Sequence, residues 1–346
     1  MKAARFHAPG DIRLEEVAEP HPGPGDVVIR VRNCSMCGTD VKISRHGHHH
    51  IVPPRTMGHE IAGEVVEVGA EVGGWSPGER VQVIAAIPCG RCRDCLAGRL
   101  TVCPNQRSMG YHFDGGFAEY CLVPAAVLAV DGLNRMPDAV SFAEASVAEP
   151  LACVINGQEL ARVDKGDDVA VIGAGPIGCL HARLARANGA PRVFLLDLNR
   201  DRLDQAAALV APDAVICTGD EDPTGAILAL TDGRGVDVAI TATAAGAAQE
   251  QAVAMIARRG RLSLFGGLPK DRPTITLDSN LVHYRELTVV GANGSSPTHN
   301  EVALDHIARG VVPVDDLITH RLRLDEVLAG IDLVAGGEAI KVTIEP

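Results

Sequence analysis

Cys89, Cys92, Cys95 and Cys103 follow the spacing C-x2-C-x2-C-x7-C, which puts four thiols into one short loop. Four thiolates at such spacing are the donor set of a closed tetrahedral zinc site with no coordination position left over. Gly90, Gly98 and Pro104 allow the reversals needed to wrap a chain round an ion, and Arg91, Arg93 and Arg99 would temper the double negative charge of a zinc tetrathiolate. An iron–sulfur cluster is the competing metal and unliganded surface thiols the plainest alternative. A closed site of this kind stabilises a loop and does no chemistry. The other cysteines, at 34, 37, 121, 153, 179 and 217, are scattered, and a disulfide framework is the wrong reading for a chain this long.

A second set of donors is dispersed: Cys37 in Cys37-Gly38-Thr39-Asp40, His59 and Glu60 in Gly58-His59-Glu60, and Glu149 in Ala148-Glu149-Pro150-Leu151-Ala152-Cys153. One thiolate, one imidazole and one or two carboxylates suit a catalytic zinc that keeps a position for water or substrate. Taken singly, each has an ordinary reading: a cysteine packed in a strand turn, a His-Glu pair on a surface. The histidines from His46 to His50, interrupted only by Gly47, are locally unusual and otherwise read as a fortuitous metal-binding surface.

Gly173-Ala174-Gly175-Pro176-Ile177-Gly178 directly follows an apolar run and opens a helical pattern, the context in which G-x-G-x-x-G points to a dinucleotide. The first glycine makes the turn, the second admits the pyrophosphate, the third lets helix and strand pack, and the helix N-terminus holds the negative charge. Asp197 ends the next strand, where a carboxylate accepts from the adenine-ribose hydroxyls and repels a 2′-phosphate. NAD is therefore the expected cofactor; Arg200 and Arg202 leave NADP as the lesser alternative, and Arg202 is counted with the cofactor-facing residues.

The elements that must position these residues change character along the chain. The first half alternates β-branched runs with Gly/Pro turns and predicts strands at Asp26–Val31, Ile61–Val68, Arg80–Ile84 and Ala118–Val123, with little helical periodicity. From about Ala143 strand and helix alternate. A helix is predicted over Glu144–Ala161, then strand Asp168–Ile172, helix Ile177–Asn188, strand Arg192–Asp197, helix Arg200–Leu209, strand Ala214–Cys217 and helix Thr224–Thr231. Strand Val236–Thr241, helix Ala247–Ala257 and strands Gly260–Phe265 and Glu286–Gly291 follow. This alternation builds a parallel sheet covered on both faces. The last segment predicts a helix near Glu301–Arg309, a strand near Ile318–Arg323, a further helix and a final strand Ala339–Ile344.

With 346 residues, two domains are the natural expectation. A formal net charge of −12 argues against general binding to nucleic acid or an anionic membrane, so the expected partner is a small molecule. No apolar stretch reaches the roughly 18 residues of a membrane span, and Met1–Arg13 is charged where a secretion signal is apolar, so a cytoplasmic protein is expected. Aromatic residues make up only 3%, which disfavours an aromatic-alcohol pocket.

Together these motifs, with Gly63-Glu64-Val65-Val66-Glu67-Val68-Gly69, Gly78-Glu79-Arg80-Val81 and Gly115-Gly116-Phe117-Ala118-Glu119-Tyr120, resemble the zinc-containing medium-chain dehydrogenases in order and spacing through most of the chain. The resemblance implies an α/β protein in which a Rossmann doubly wound parallel sheet, residues 152–293, is inserted into a GroES-like β-barrel catalytic domain, residues 1–151 and 294–346, with a structural zinc lobe at about 88–104. It implies that Cys37, His59 and Glu149 hold a catalytic zinc, with Glu60 a fourth ligand or exchanging with water. It further implies that Thr39 starts a proton relay and that zinc and nicotinamide meet between the domains. Asp40 is read as orienting a ligand or as a helix cap.

A carboxylate at Glu149, where the alcohol dehydrogenases carry cysteine, looks like the sorbitol, iditol and threonine dehydrogenase branch. That branch implies NAD-linked oxidation of a secondary alcohol of a polyol, sugar alcohol or cyclitol, two zinc ions per chain, and a homodimer or homotetramer. Threonine-type amino alcohols and aminocyclitols are the alternative substrates, and a catalytically silent NAD sensor is the alternative of another class. The zinc-free quinone reductases lack the four-cysteine lobe. One departure is that the histidine expected shortly after Thr39 is absent from Val41-Lys42-Ile43-Ser44-Arg45, and the nearest is His46, at a polyol-dehydrogenase cleft position.

Overall fold

The computed structural model describes residues 1–346, and the chain divides into two compact units, Met1–Ala152 with Gly294–Pro346, and Cys153–Asn293. In the first unit, a seven-stranded sheet runs in the order Leu133–Arg135, Arg80–Val83, Glu60–Val68, Val27–Ser35, Lys341–Glu345, Ile318–Arg323, with Tyr120–Val123 also paired to Val27–Ser35. Lys341–Glu345 lies between strands from distant parts of the sequence, opposing Ser35 with Thr343 and Cys34 with Ile344, and this stitches the C-terminal segment to the N-terminal one. Val27–Ser35 buries Val27, Ile29 and Val31 and turns Arg30 and Arg32 outward, the period-two alternation of a half-buried strand. The buried side closes over Ile29, Ile61, Val81, Val83, Phe117, Val342 and Ile344.

The second unit is a six-stranded parallel sheet of Asp168–Ile172, Arg192–Asp197, Ala214–Cys217, Val236–Thr241, Ile256–Leu264 and Thr288–Gly291. Numbered along the chain these run 3-2-1-4-5-6, the doubly wound dinucleotide order. Asp168–Ile172 is buried at every position, as a central strand covered by helices on both faces must be. Thr288–Gly291 is an edge strand.

The structure departs from the sequence expectations in several places, four of which bear on the sites or the core. The helix expected over Glu144–Ala161 is two helices, Phe142–Ser146 and Ala148–Ala161, because Pro150 has no N–H to give the Ser146 carbonyl four residues back. The shorter one is closed at its start by a capping box, in which Glu144 N–H donates to Ser141 Oγ and Ser141 N–H to Glu144 Oε2. The helix expected over Ala247–Ala257 stops at Ala252, and after a 3-10 turn the chain enters the strand Ile256–Leu264, which carries a register shift and Arg259 at φ 62°. Finally, a hairpin of Lys2–Ala8 with Asp11–Glu16 and a helix, Gly38–His46, lie where no such element is expected. That helix has Cys37 as its N-cap, a residue outside the usual capping set, which is why the sequence hid it. No helix is long and apolar enough to cross a membrane.

Candidate metal and dinucleotide sites

The helix Gly38–His46 begins where Val27–Ser35 leaves the sheet, and Asp40 in its first turn holds the geometry. Asp40 is 1% exposed; its Oδ2 accepts the Cys37 N–H at 2.9 Å, and its Oδ1 lies 3.5 Å from His59 Nδ1. His59 and Glu60 stand at the entry to the adjacent strand Glu60–Val68, so pairing of these two strands brings Cys37 and His59 together. The donor atoms of Cys37, His59 and Glu60 all lie within 4.8 Å of one another. Thr39 Oγ1 is 3.5 Å from Cys37 Sγ.

Glu149 stands outside this triplet; it is buried in the first turn of Ala148–Ala161, and its charge reaches both Tyr111 and Lys341. His46 is exposed at the last turn of its helix.

This pocket carries an excess of anionic groups. Burial opposes a charged His59, yet Asp40, Tyr111 and Cys37 outweigh it and hold the imidazole well above its ordinary pKa. A proton on His59 is one way to satisfy that field; a divalent cation is another. Buried Oε1 of Glu60 has no hydrogen-bond partner, and Oδ1 of Asp40 and Nδ1 of His59 face only each other, 3.5 Å apart. The donor chemistry and the orphaned polar atoms fit a bound metal ion.

Two residues here escaped the sequence reading. Lys341 Nζ pairs with Glu60 Oε2 and donates to the Met36 carbonyl at 3.0 Å. Its burial works against the charge, but Glu60, Cys37 and Glu149 keep its pKa above the usual lysine value. A lone cation in the otherwise uncharged run Ala339-Ile340-Lys341-Val342-Thr343-Ile344 was the available signal. Tyr111, whose phenol is pushed up chiefly by burial, packs 5.7 Å from the His59 ring, and nothing in its sequence context pointed to it.

In the four-cysteine lobe the sulfur separations are 3.5 Å (Cys92–Cys95), 3.9 Å (Cys92–Cys103) and 4.0 Å (Cys89–Cys95), and all four cysteines are free of disulfides. A Zn–S bond of about 2.3 Å in tetrahedral geometry sets sulfurs about 3.8 Å apart. Backbone N–H groups of Cys89 and Cys95 donate to Cys103 Sγ at 3.3 Å and Cys92 Sγ at 3.5 Å, which favours thiolates. The backbone N–H groups of Arg91 and Cys92, with neighbouring thiols, bring Cys89 down to about 6, while burial and the adjacent sulfurs push Cys95 up to about 12. Arg99 is engaged by Asp94 at 2.8 Å.

In the second unit, the glycine loop joins Asp168–Ile172 to the helix Pro176–Ala187. Gly173 has φ 115°, and a Cβ on Gly178 would fall 1.8 Å from the Gly173 carbonyl oxygen, so both positions demand glycine. A Cβ on Gly175 would meet nothing within 4 Å, and the helix N-terminus that it caps has no side-chain partner. Pro176 takes the first helical turn, where it lacks only an N–H that would be orphaned. The result is an open cradle of N–H groups suited to a pyrophosphate. Asp197 accepts from Ala174 N–H at 2.7 Å and Asn199 N–H at 2.8 Å, which fixes its carboxylate beside the loop with lone pairs to spare. Arg200 is paired with Asp220 at 3.0 Å, and buried Arg202 Nε has no partner.

A parallel dinucleotide sheet, a glycine cradle and two metal-donor clusters on a separate β-rich unit define a metal-using α/β oxidoreductase. The family model for the alcohol dehydrogenase GroES-like domain matches residues 23–132, and that for zinc-binding dehydrogenase matches residues 176–309. Sorbitol dehydrogenase of Halalkalibacterium halodurans is 32% identical over 342 residues, covering 98% of this chain and 97% of that protein. L-threonine 3-dehydrogenase of Pyrococcus furiosus is 36% identical over 335 residues, covering 95% and 93%. Among solved structures, a zinc-binding dehydrogenase of Sinorhizobium meliloti bound to NADP matches with TM-score 0.91 at 33% identity, over 100% of this chain and 99% of that one. This chain belongs to the zinc-containing medium-chain dehydrogenase family and is an oxidoreductase.

Proposed function

We propose that this enzyme is an NAD-linked dehydrogenase that oxidises a secondary alcohol of a small polyol, sugar alcohol or cyclitol to the ketone. The reaction passes a hydride to the nicotinamide and a proton to solvent. The observation that carries this reading is the convergence of half-buried Cys37 with buried His59 and Glu60 in an anion-rich pocket.

Cys37, His59 and Glu149 would hold the catalytic zinc, with Glu60 a fourth ligand that gives way because Lys341 competes for it. When bound, zinc supplies Lewis acidity that lowers the pKa of an alcohol hydroxyl. Asp40 fixes the His59 ring, and the Thr39 hydroxyl beside Cys37 carries the proton away from the alcohol. Cys89, Cys92, Cys95 and Cys103 would hold a second, structural zinc.

In the second unit Gly173, Gly175, Pro176, Ile177 and Gly178 would cradle the pyrophosphate, and Asp197 would take the ribose hydroxyls and disfavour a 2′-phosphate. The unpartnered Arg202 Nε keeps NADP as the second reading. A homodimer or homotetramer joined at the edge strand Thr288–Gly291 is the proposed assembly.

The test is a panel of polyols, cyclitols and amino alcohols, L-threonine included, with NAD and NADP, followed by cofactor reduction and metal analysis. Expected are about two zinc ions per chain, NAD reduction with a polyol or cyclitol, and loss of activity on chelation. Full activity without the ion would overturn the proposal. One zinc and no turnover with any alcohol would favour an NAD sensor, and turnover of L-threonine alone would move the substrate to the amino-alcohol class.

A further inference from the structure

The histidines that follow the helix Gly38–His46 do not disperse. The rings of His48 and His49 are 4.5 Å apart, those of His49 and His50 3.9 Å, and His50 packs 4.6 Å from His112, which arrives from a different part of the chain. The cluster is joined to the proposed metal pocket through one residue: His48 meets the Tyr111 ring edge-on at 4.9 Å, and Tyr111 meets His59 at 5.7 Å. Tyr111 touches both His59 and His48, so the cluster begins one side chain away from the proposed alcohol-binding pole.

The hydrogen bonds decide what the cluster can hold. Ser108 N–H donates to His112 Nδ1 at 3.1 Å, and His50 N–H donates to His48 Nδ1 at 3.3 Å. A backbone N–H can only donate, so each of these Nδ1 atoms is an acceptor and each Nε2 carries the proton. A histidine that ligates metal through Nε2 shows the reverse, with Nδ1–H given to an acceptor. His48 and His112 therefore present Nε2–H donors to an oxygen-rich ligand, with the His50 ring packed against both.

Its surroundings are cationic. Arg55 and Arg107 both press on His112, Arg107 lies over the Phe113 ring 4.8 Å away, and Arg55, although Asp114 takes its Nη1 at 3.1 Å, leaves a buried Nε without a partner. No carboxylate pairs with His50 or His112. Such a locally positive patch stands out on a chain of net charge −12.

We infer that His48, His50 and His112, backed by Arg55 and Arg107, form a donor wall that receives an oxyanion on the substrate, so that the alcohol oxidised is an acid or phosphate ester of a polyhydroxylated compound. This inference rests on the proposed alcohol-binding pole at Cys37 and His59. The specificity it predicts is for charge at a distance from the reacting carbon.

The experiment compares sorbitol, gluconate and sorbitol 6-phosphate as substrates of the wild-type enzyme and of His112→Asn. Asparagine keeps an acceptor for Ser108 N–H and removes the Nε2–H donor. Expected is a kcat/KM for at least one anion about tenfold or more above that for sorbitol, and a fall of about tenfold in that ratio, through KM, in the variant. Gluconate and sorbitol 6-phosphate distinguish carboxylate from phosphate. A wild-type enzyme indifferent to charge, or a variant in which neutral and anionic substrates suffer alike, would overturn the inference.

Should no alcohol be oxidised, the proposed function fails and the imidazole 15N resonances decide the wall by themselves. A shift of the His112 signals on adding gluconate or inorganic phosphate, absent with sorbitol, supports it. Signals that stay put, or that move only with added Zn2+, overturn it.

Discussion

The two donor clusters of the first unit are assembled in opposite ways. The four sulfurs of Cys89, Cys92, Cys95 and Cys103 come from one loop and sit at a surface lobe whose neighbours Leu96 and Val102 are exposed. Cys37, His59 and Glu60 come from the end of one strand and the beginning of another, and they are enclosed with Asp40, Lys341 and Glu149. The first arrangement can be made by a short piece of chain and would fill every coordination position of a zinc, so a metal held there would only stabilise. The second exists only once the sheet has formed, and its charges exceed what its own cations balance. Such an imbalance in a buried place calls for a compensating positive charge, a proton on His59 or a bound cation. Contiguity thus goes with folding, and dispersal with chemistry.

The contrast breaks most readily at its chemical end. His59→Asn removes a donor from the dispersed set and is expected to lower kcat/KM by about 10,000-fold, about 5.5 kcal/mol of transition-state stabilisation, while the thermal midpoint moves only slightly. An active His59→Asn enzyme would show that the dispersed set does no chemistry. Cys95→Ser in the lobe should do the converse. One zinc per chain is lost and the midpoint falls by about 10 °C or more, with activity at low temperature within about tenfold of wild type. If calorimetry found the midpoint unchanged, the lobe would be ornamental.

Lys341 sharpens the comparison because it is the buried lysine that balances Glu60 in the dispersed set. Lys341→Met leaves Glu60 buried and unbalanced, and should destabilise by about 3 kcal/mol in denaturant titration. Adding Glu60→Gln to that variant should recover most of the loss, since both charges then go together. Equal stability of the single and double variants would mean that the pair is not coupled.

What the sequence disclosed follows the same division. The lobe and the glycine loop are legible because their geometry is local: spacing alone brings four sulfurs together, and Gly173 and Gly178 are dictated by backbone approach within a single turn. The parallel sheet is legible because a strand buried on both faces, such as Asp168–Ile172, is apolar after its first residue. Lys341 next to Glu60, and Tyr111 between His59 and His48, were hidden because each contact joins residues far apart in the chain. The helix Gly38–His46 was hidden for a local reason. A cysteine cap gives no conventional signal, and the capping role passes to Asp40, whose second oxygen also faces His59.

Asp40 is therefore where the two readings of that residue, cap and orienter, can be separated. Its Oδ2 holds the Cys37 N–H, and its Oδ1 is the carboxylate oxygen nearest His59 Nδ1. If His59 binds metal through Nε2, Nδ1 must carry the proton, and a carboxylate at that position favours this tautomer. An asparagine in its place keeps one oxygen for the cap but offers an NH2 group to His59, which favours the opposite tautomer. Asp40→Asn should then weaken metal binding at the dispersed set by about 10–100-fold, with the lobe zinc and helix content unaltered. The check is competitive titration of the enzyme with a chromophoric chelator, which reads the two sites as separate steps. A cap alone predicts no change in either step, because the asparagine oxygen can still accept the Cys37 N–H. Weakening confined to the less tightly held ion assigns Asp40 to the chemistry of the dispersed set, and weakening of both would show that the two clusters are not independent.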